Sequence, residues 1–422
     1  MSSIVERQTL REDAEAIVRS AIERNLPGPA VRLALAGFQP PRGRLVLVAI
    51  GKAAWDMAHA ASEVLGEQLH AGLVITKYEH VKGPIAHVVC REAGHPVVDE
   101  ASVAATREAE ALVRDLGPDD LVLFLVSGGG SALFEDPKVP LADVADVTRQ
   151  LLACGASIDE INTVRKHLSR VKGGRFGKLC APTRVYAIVL SDVVDDRLDT
   201  IASGPAYPDA STSTEALELV RRYDLQVSAS VLEALGEETP KVLDNVQTQI
   251  TGSVRALVTS AAEACERLGY EPHVLTSSLE CEAREAGAFL GAIARDHATG
   301  TCDVAFVAGG ETVVHLRGDG LGGRNQELAL AASPAIAGLA NACVISVGSD
   351  GTDGPTDAAG GYVDGNTEAA LMQAGLRVAD VLDRSDSYHA LETCGGLVVT
   401  GPTGTNVNDV VVALVRADTR AH

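Results

Sequence analysis

Short runs of branched aliphatic residues, each broken off by Gly, Ser or Asp and each followed by an amphipathic stretch, recur through this chain. Arg44–Ile50 (RLVLVAI) runs into Gly51-Lys52. Leu121–Val126 (LVLFLV) runs into Ser127-Gly128-Gly129-Gly130-Ser131, and Arg184–Leu190 (RVYAIVL) into Ser191-Asp192. Strands that are covered on both faces read as unbroken apolar runs, and strands that alternate with helices build parallel sheets. Further strands are predicted at 71–76 and 86–90, with helices at 10–24, 52–67, 99–116, 141–155 and 158–170. The expectation is an α/β fold whose first part is a doubly wound, Rossmann-like sheet.

A length of 422 residues exceeds what one core usually serves, so two domains are expected. The polar, Pro-containing stretch Gly236–Gln249 marks the boundary, giving domains at 1–240 and 250–422. Past it the alternation resumes, with helices at 254–268, 282–296 and 324–338. Strands are predicted there at 271–275, 304–308, 312–316, 342–347, 396–400 and 408–415, in a second, smaller α/β domain.

The net charge of -21 argues against nucleic acid and anionic membrane as partners, because both require a basic face. A small anionic substrate survives that test if a few Arg and Lys line its pocket. The eight cysteines are dispersed without a C-x-x-C, which reads as reduced thiols rather than a disulfide frame or zinc site. The charged N-terminus lacks an apolar signal core and no run reaches membrane-spanning length. The expectation is a cytoplasmic protein, monomer or homodimer, with small-molecule partners.

Six segments carry chemistry. Ser127, Gly128, Gly129, Gly130 and Ser131 follow a strand directly; glycines let backbone N–H groups approach an anion, and three in a row exceed the needs of a tight turn. The loop is not a Walker A motif. Lys52, at the start of a helix, opposes the helix dipole unless it faces a phosphate; a solvated lysine over a glycine turn is the equal alternative. Gly322 and Gly323 lead into Arg324, Asn325 and Gln326, where an arginine fork suits a carboxylate or a transferring phosphoryl group. The acidic loops Asp192/Asp195/Asp196 and Asp350/Asp353/Asp357 end an apolar strand in each half. Each suits Mg²⁺ or a general base, with Asx-turn chemistry as the plain alternative. Arg165 and Arg175 sit in the densest basic stretch and are candidate contacts to substrate; Lys172 and Arg175 also fit simple dipole compensation.

Taken together, GKAAWDMA, GHPVVDEAS, SGGGSALFEDP, INTVRKHLSRVKGGR, SDVVDDRLDTIASGP, GGETVV, GLGGRNQELAL, SDGTDGPTDAAG and GPTGTNVNDV resemble, in colinear order, the glycerate 2-kinase family with a MOFRL C-terminal domain. The resemblance implies ATP-dependent phosphorylation of D-glycerate at its 2-hydroxyl with Mg²⁺, in a cleft between two α/β domains. It implies that Lys52 and Arg324 are essential. The reading that follows puts ATP on the glycine loops (Ser127–Ser131, Gly322, Gly323, Asn325) with Lys52 on its phosphates. Asp192 is then the base or a metal ligand, with Asp350 and Asp353 as further ligands. Relatives often carry G-S-N where this chain has Gly252-Ser253-Val254, so a polar contact is missing there. The alternatives are a kinase of a related sugar acid, a ligand sensor without turnover, and an NAD(P)H-dependent hydroxypyruvate reductase. The last needs a G-x-G-x-x-G turn, of which Gly51 supplies one glycine.

Overall fold

A computed structural model describes residues 8–191 and 198–417; Asp192, Asp195 and Asp196 lie outside the described residues. The chain forms two compact units, one of Pro27–Thr251 and one that joins the chain up to Leu26 with everything from Gly252. The first described element is α1 (Leu10–Arg24), opened by a capping box between Thr9 and Glu12.

The first unit then runs α2 (Pro27–Ala34), β1 (Leu45–Ile50), α3 (Ala54–Leu65), β2 (Leu69–Lys77), β3 (Val88–Ala93), α4 (Glu100–Arg114), β4 (Leu121–Val126), α5 (Gly130–Leu133), α6 (Leu141–Ala153), α7 (Ile158–Leu168), α8 (Arg175–Cys180), β5 (Arg184–Leu190), α9 (Ser213–Arg222), α10 (Ala229–Leu235) and β6 (Val246–Gly252). Its sheet has the order β3-β2-β1-β4-β5-β6. Every pairing from β3 through β5 is parallel. Connections wind outward from β1 in one direction and from β4 in the other, so the order reverses between these two central strands. Each is buried along its whole length, as its unbroken apolar run demands. Phe124, Phe134 and Phe176 pack together with ring centroids 4.9–6.0 Å apart. A separate apolar cluster (Leu151, Val164, Leu219, Val231) holds α6, α7, α9 and α10 together.

The second unit continues with α11 (Val254–Arg267), β7 (Glu271–Leu279), α12 (Ala283–His297), β8 (Val304–Gly310), α13 (Arg324–Ile336), β9 (Ala342–Gly348), β10 (Gly360–Asp364), α14 (Thr367–Gln373), α15 (Val378–Asp383), α16 (Ser387–Thr393), β11 (Leu397–Val398) and β12 (Asp409–Val415). The sheet order is β11-β10-β9-β12-β8-β7. It is mixed, because β12 runs antiparallel to both β8 and β9. Helices α12 and α13 approach closely through glycine: a Cβ on Gly287 would lie 2.1 Å from the Leu328 carbonyl oxygen.

Helix α1 is where the structure departs from a division at residues 240–250. Its apolar face (Ala14, Ile17, Val18, Ala21) is buried and it packs on α11 and β9. Asp13 pairs with Arg416 at 2.7 Å and accepts from the Tyr270 hydroxyl at 2.6 Å. Periodicity shows that such a helix has a face to bury, not which core receives it. The polar stretch predicted as a linker ends in β6, whose alternating exposure is that of an edge strand. Of the predicted strand at 312–316 only a single bridge, Val313 to Glu282, forms. Among the described residues no helix is long and apolar enough to cross a membrane.

Candidate active site

In an open α/β sheet, ligands bind beyond the carboxyl ends of the strands where the order reverses. Here that place is flanked by the turns after β1 and β4, which are tied to one another. The Lys52 amide donates to the Gly128 carbonyl at 2.9 Å, and the Ala53 amide donates to Ser127 Oγ at 3.1 Å. Gly51 is required for this contact. Its φ is +111°, and a Cβ there would lie 2.4 Å from the Ser127 carbonyl oxygen. Gly129 (φ +83°) brings its backbone against the His95 ring and the Lys52 stem, both 3.1 Å from where a Cβ would stand. The amides of Gly128, Gly129 and Gly130 donate to no other group among the described residues. The loop therefore offers a row of free N–H donors beside Lys52, which is a cradle for an anion.

Neighbouring side chains support this loop. Arg165 donates to the Ser131 carbonyl at 3.0 Å. Ser131 Oγ lies 3.0 Å from Ser203 Oγ, and Ala202 and Ser203 both hold left-handed backbone (φ 52° and 60°), strain that must be imposed by what surrounds them. Burial pulls the Arg165 guanidinium below its ordinary proton affinity, against the pull of Glu135. Burial first, then Lys52, lowers the His95 pKa. Lys172 is fully buried with its ammonium 2.5 Å from Glu135 and 2.9 Å from the Phe134 carbonyl, and burial lowers it to about 8.

In the second unit, Arg324 is the first residue of α13. Its Nε and Nη2 donate to Asp409 at 2.5 and 3.0 Å, and Nη1 donates to Glu311 at 3.1 Å. The Asp353 carboxylate caps the same helix from outside, accepting from the amides of Asn325 (3.1 Å) and Gln326 (2.8 Å). Gly323 makes room for it, since a Cβ there would fall 2.2 Å from the Asp353 carboxyl carbon. Burial pushes Asp353 up to about 6 against these amides, and burial likewise raises Asp409 against Arg324. Among the described residues, Thr312 Oγ1 and Asn408 Nδ2 are buried without a partner.

The domain of unknown function DUF4147 matches residues 13–236 and the MOFRL family matches residues 304–409. The D-glycerate 2-kinase of Thermotoga maritima is 49% identical over 97% of this chain and 99% of its own. The chain belongs to the glycerate 2-kinase family. The glycerate 2-kinase of Pyrococcus horikoshii is 42% identical over 89% of this chain and 88% of its own. Crystal structures from the two organisms superpose with TM-scores of 0.92 (48% identical, covering 96% of this chain and 99% of that one) and 0.93 (39% identical, covering 98% and 100%). The first is titled a glycerate kinase. A relative from Agrobacterium vitis, 39% identical over 97% of this chain and 94% of its own, is named as a provisional hydroxypyruvate reductase.

For this glycerate 2-kinase family member, the described residues predicted from sequence gather in two places, with Asp350 and Arg175 placed separately. Lys52, Ser127–Ser131 and Arg165 come together in the first unit. Gly322, Gly323, Arg324, Asn325 and Asp353 come together in the second. Asp350 sits after β9, with Oδ1 accepting from the Thr352 amide at 2.9 Å. Arg175 is apart from Arg165, donating to the Glu237 carbonyl at 3.2 Å. Among the described residues no three His, Cys, Asp or Glu are grouped as a metal cage. Mg²⁺ seldom needs one, taking one or two carboxylates and completing its shell with phosphate and water. Both Asp353 oxygens are engaged by amides; among the described residues Asp350 Oδ2 has no hydrogen-bond partner, which fits a single carboxylate ligand. Sequence reasoning missed His95, Ser203, Glu311 and Asp409. Asp409 has a visible signal, as an acidic residue opening an otherwise wholly apolar strand.

Proposed function

We propose that this protein is an ATP-dependent glycerate 2-kinase, moving the γ-phosphoryl group of ATP to the 2-hydroxyl of D-glycerate. The observation that carries it is the locked pair of turns at the strand-order reversal, where Lys52 stands beside three free glycine amides, in a chain of that family. Phosphoryl transfer requires little covalent chemistry of the protein beyond positioning and charge stabilisation. The loop amides and Lys52 hold the phosphates. Arg324, which the family resemblance implies is essential, is held in position by Asp409 through Nε and Nη2, and its remaining N–H donors suit the charge of a transferring phosphoryl group. Arg165 fixes the far end of the loop through the Ser131 carbonyl and faces the substrate carboxylate. The glycerate oxygen bonds to phosphorus as the bond to ADP breaks, and its proton passes to a carboxylate, for which Asp192 is the choice from sequence. Mg²⁺, when bound, neutralises the developing phosphate charge; Asp350 would hold it, with Asp192 as a second ligand.

The reductase name of the Agrobacterium vitis relative finds no support in the turn after β1, where Gly51-Lys52-Ala53-Ala54-Trp55-Asp56 lacks the glycine spacing of a dinucleotide site. Purified protein with D-glycerate, ATP and Mg²⁺ is expected to release ADP and 2-phosphoglycerate, and Lys52→Ala to abolish this. Turnover of NADH with hydroxypyruvate and none with ATP would overturn the assignment.

A further inference from the structure

Helices α4 and α8 pack against each other in the first unit, and beside them a cleft of about 760 Å³ opens. Arg107 and Arg114 point into it from one face of α4, and Arg175 and Lys178 from one turn of α8. Lys138 and Arg170 complete the wall, held side by side because the chain pairs there: the Lys138 amide donates to the Leu168 carbonyl and the Arg170 amide to that of Asp136, both at 2.8 Å. Six cations thus converge on one cleft in a protein of net charge -21.

The acids present do not neutralise them. Asp136 is shared by Arg107 (2.9 Å) and Arg170 (3.4 Å), and Glu237 pairs with Lys138 at 2.6 Å. Glu110, the third carboxylate, is buried, and burial raises its pKa. Among the described residues, Arg114 and Lys178 have no ion pair and Arg175 Nε is buried without a partner. Burial depresses the proton affinity of Lys138. Like charges repel when crowded in this way, and a multiply charged anion relieves the repulsion.

We propose that this cleft is a second anion site, separate from the phosphate loop, that takes a small phosphate ester or polyphosphate without an aromatic base. Four arginine forks match phosphate oxygens in pairs. The wall offers Leu179 and no aromatic ring, so nothing is present on which a base would stack. Its elements lead directly to the candidate site. Asp136 follows Glu135, and Arg170 lies two residues before Lys172, the buried pair behind the Ser131 turn.

The test titrates pyrophosphate into the full-length protein by calorimetry, without metal, after a non-hydrolysable ATP analogue has saturated the nucleotide site. Analogue uptake is recorded first, so failure of the nucleotide reading is seen separately. Wild-type protein is expected to bind one further equivalent of pyrophosphate. Arg114→Glu with Lys178→Glu is expected to weaken that binding at least about tenfold while glycerate phosphorylation in the absence of pyrophosphate stays unchanged. If the charge-reversed chain fails to fold, Arg114→Ala with Lys178→Ala serves, with a loss of at least about threefold expected. No uptake by the analogue-saturated wild type, or a smaller loss in the variant, overturns the proposal.

Discussion

Glu135→Gln gives the sharpest test of the physics behind the phosphate loop. The side chains of Lys172 and Glu135 are 0% and 1% exposed, so the change removes a buried charge and preserves its shape. With Glu135 present, burial leaves the lysine at about 8 rather than 10.5. At pH 7 it therefore keeps its proton with about 1.4 kcal/mol in hand. Without the carboxylate the ammonium is unsupported and sheds its proton. That escape caps the electrostatic loss at pH 7 near 1.4 kcal/mol, and the lost charge-assisted hydrogen bond adds about 1.5 kcal/mol. The total is about 3 kcal/mol at pH 7 and about 4 at pH 6; at pH 9, where the wild-type lysine is already neutral, it falls to about 1.5. The sign follows from proton affinity. The folded chain holds this proton less tightly than the unfolded chain, so wild type gains stability as pH rises from about 8 to 10.5. The variant begins that gain at lower pH. Urea unfolding at the three pH values, followed by the fluorescence of Trp55, measures it directly. Trp55 is the only tryptophan of the chain and lies in α3 of the same unit. A loss that is equal at all three pH values, or below about 1 kcal/mol at pH 7, would refute the reasoning.

Arg324→Lys keeps the charge but not the fork that meets Asp409 through two nitrogens; kcat should fall about 10³-fold in a coupled ADP assay, and wild-type turnover would remove Arg324 from the mechanism. Asp409→Asn should cost about tenfold in kcat with a smaller change in KM, since it frees the guanidinium without deleting it. Gly51→Ala forces a methyl to within 2.4 Å of the Ser127 carbonyl, so kcat/KM for ATP should drop at least about 10²-fold; an unchanged value would mean the two turns need not touch. Asp353, pushed up to about 6, should give an acid limb in kcat near that pH as its cap on α13 loses charge. The same carboxyl binds its proton more tightly folded than unfolded, so its contribution to stability improves as pH falls from about 6 toward 3.8 while activity is lost. A pH–rate profile set beside melting curves separates the two trends, and parallel decline of both would contradict this assignment.

Much of the fold is legible because the central strands are buried on both faces. LVLVAI and LVLFLV admit no polar residue, and their identity follows from that alone. Edge strands give weaker signals. β6 reads VQTQITG, half exposed, and passes for a linker; β10 begins with two glycines and hides among turns. The glycine loop, Lys52 and Arg324 could be named from residue type, since few structural needs explain SGGGS or GGRNQ. Their partners could not. Asp409 meets Arg324 across 85 residues of sequence and Glu135 meets Lys172 across 37. Pairings of that kind depend on which strands become neighbours, which no local pattern encodes. Gly323 shows the other limit: its lack of a side chain admits the Asp353 carboxylate, a packing need that looks in sequence like part of a ligand loop.

The placement of α1 has a consequence for how the protein is made. Helix α1 is made before the core to which it belongs, which is assembled from Gly252 onward, so its apolar face stays uncovered while the whole of Pro27–Thr251 is synthesised. A chain that stalls after residue 251 carries one finished body and one orphaned amphipathic helix, a natural target for chaperones and for proteolysis.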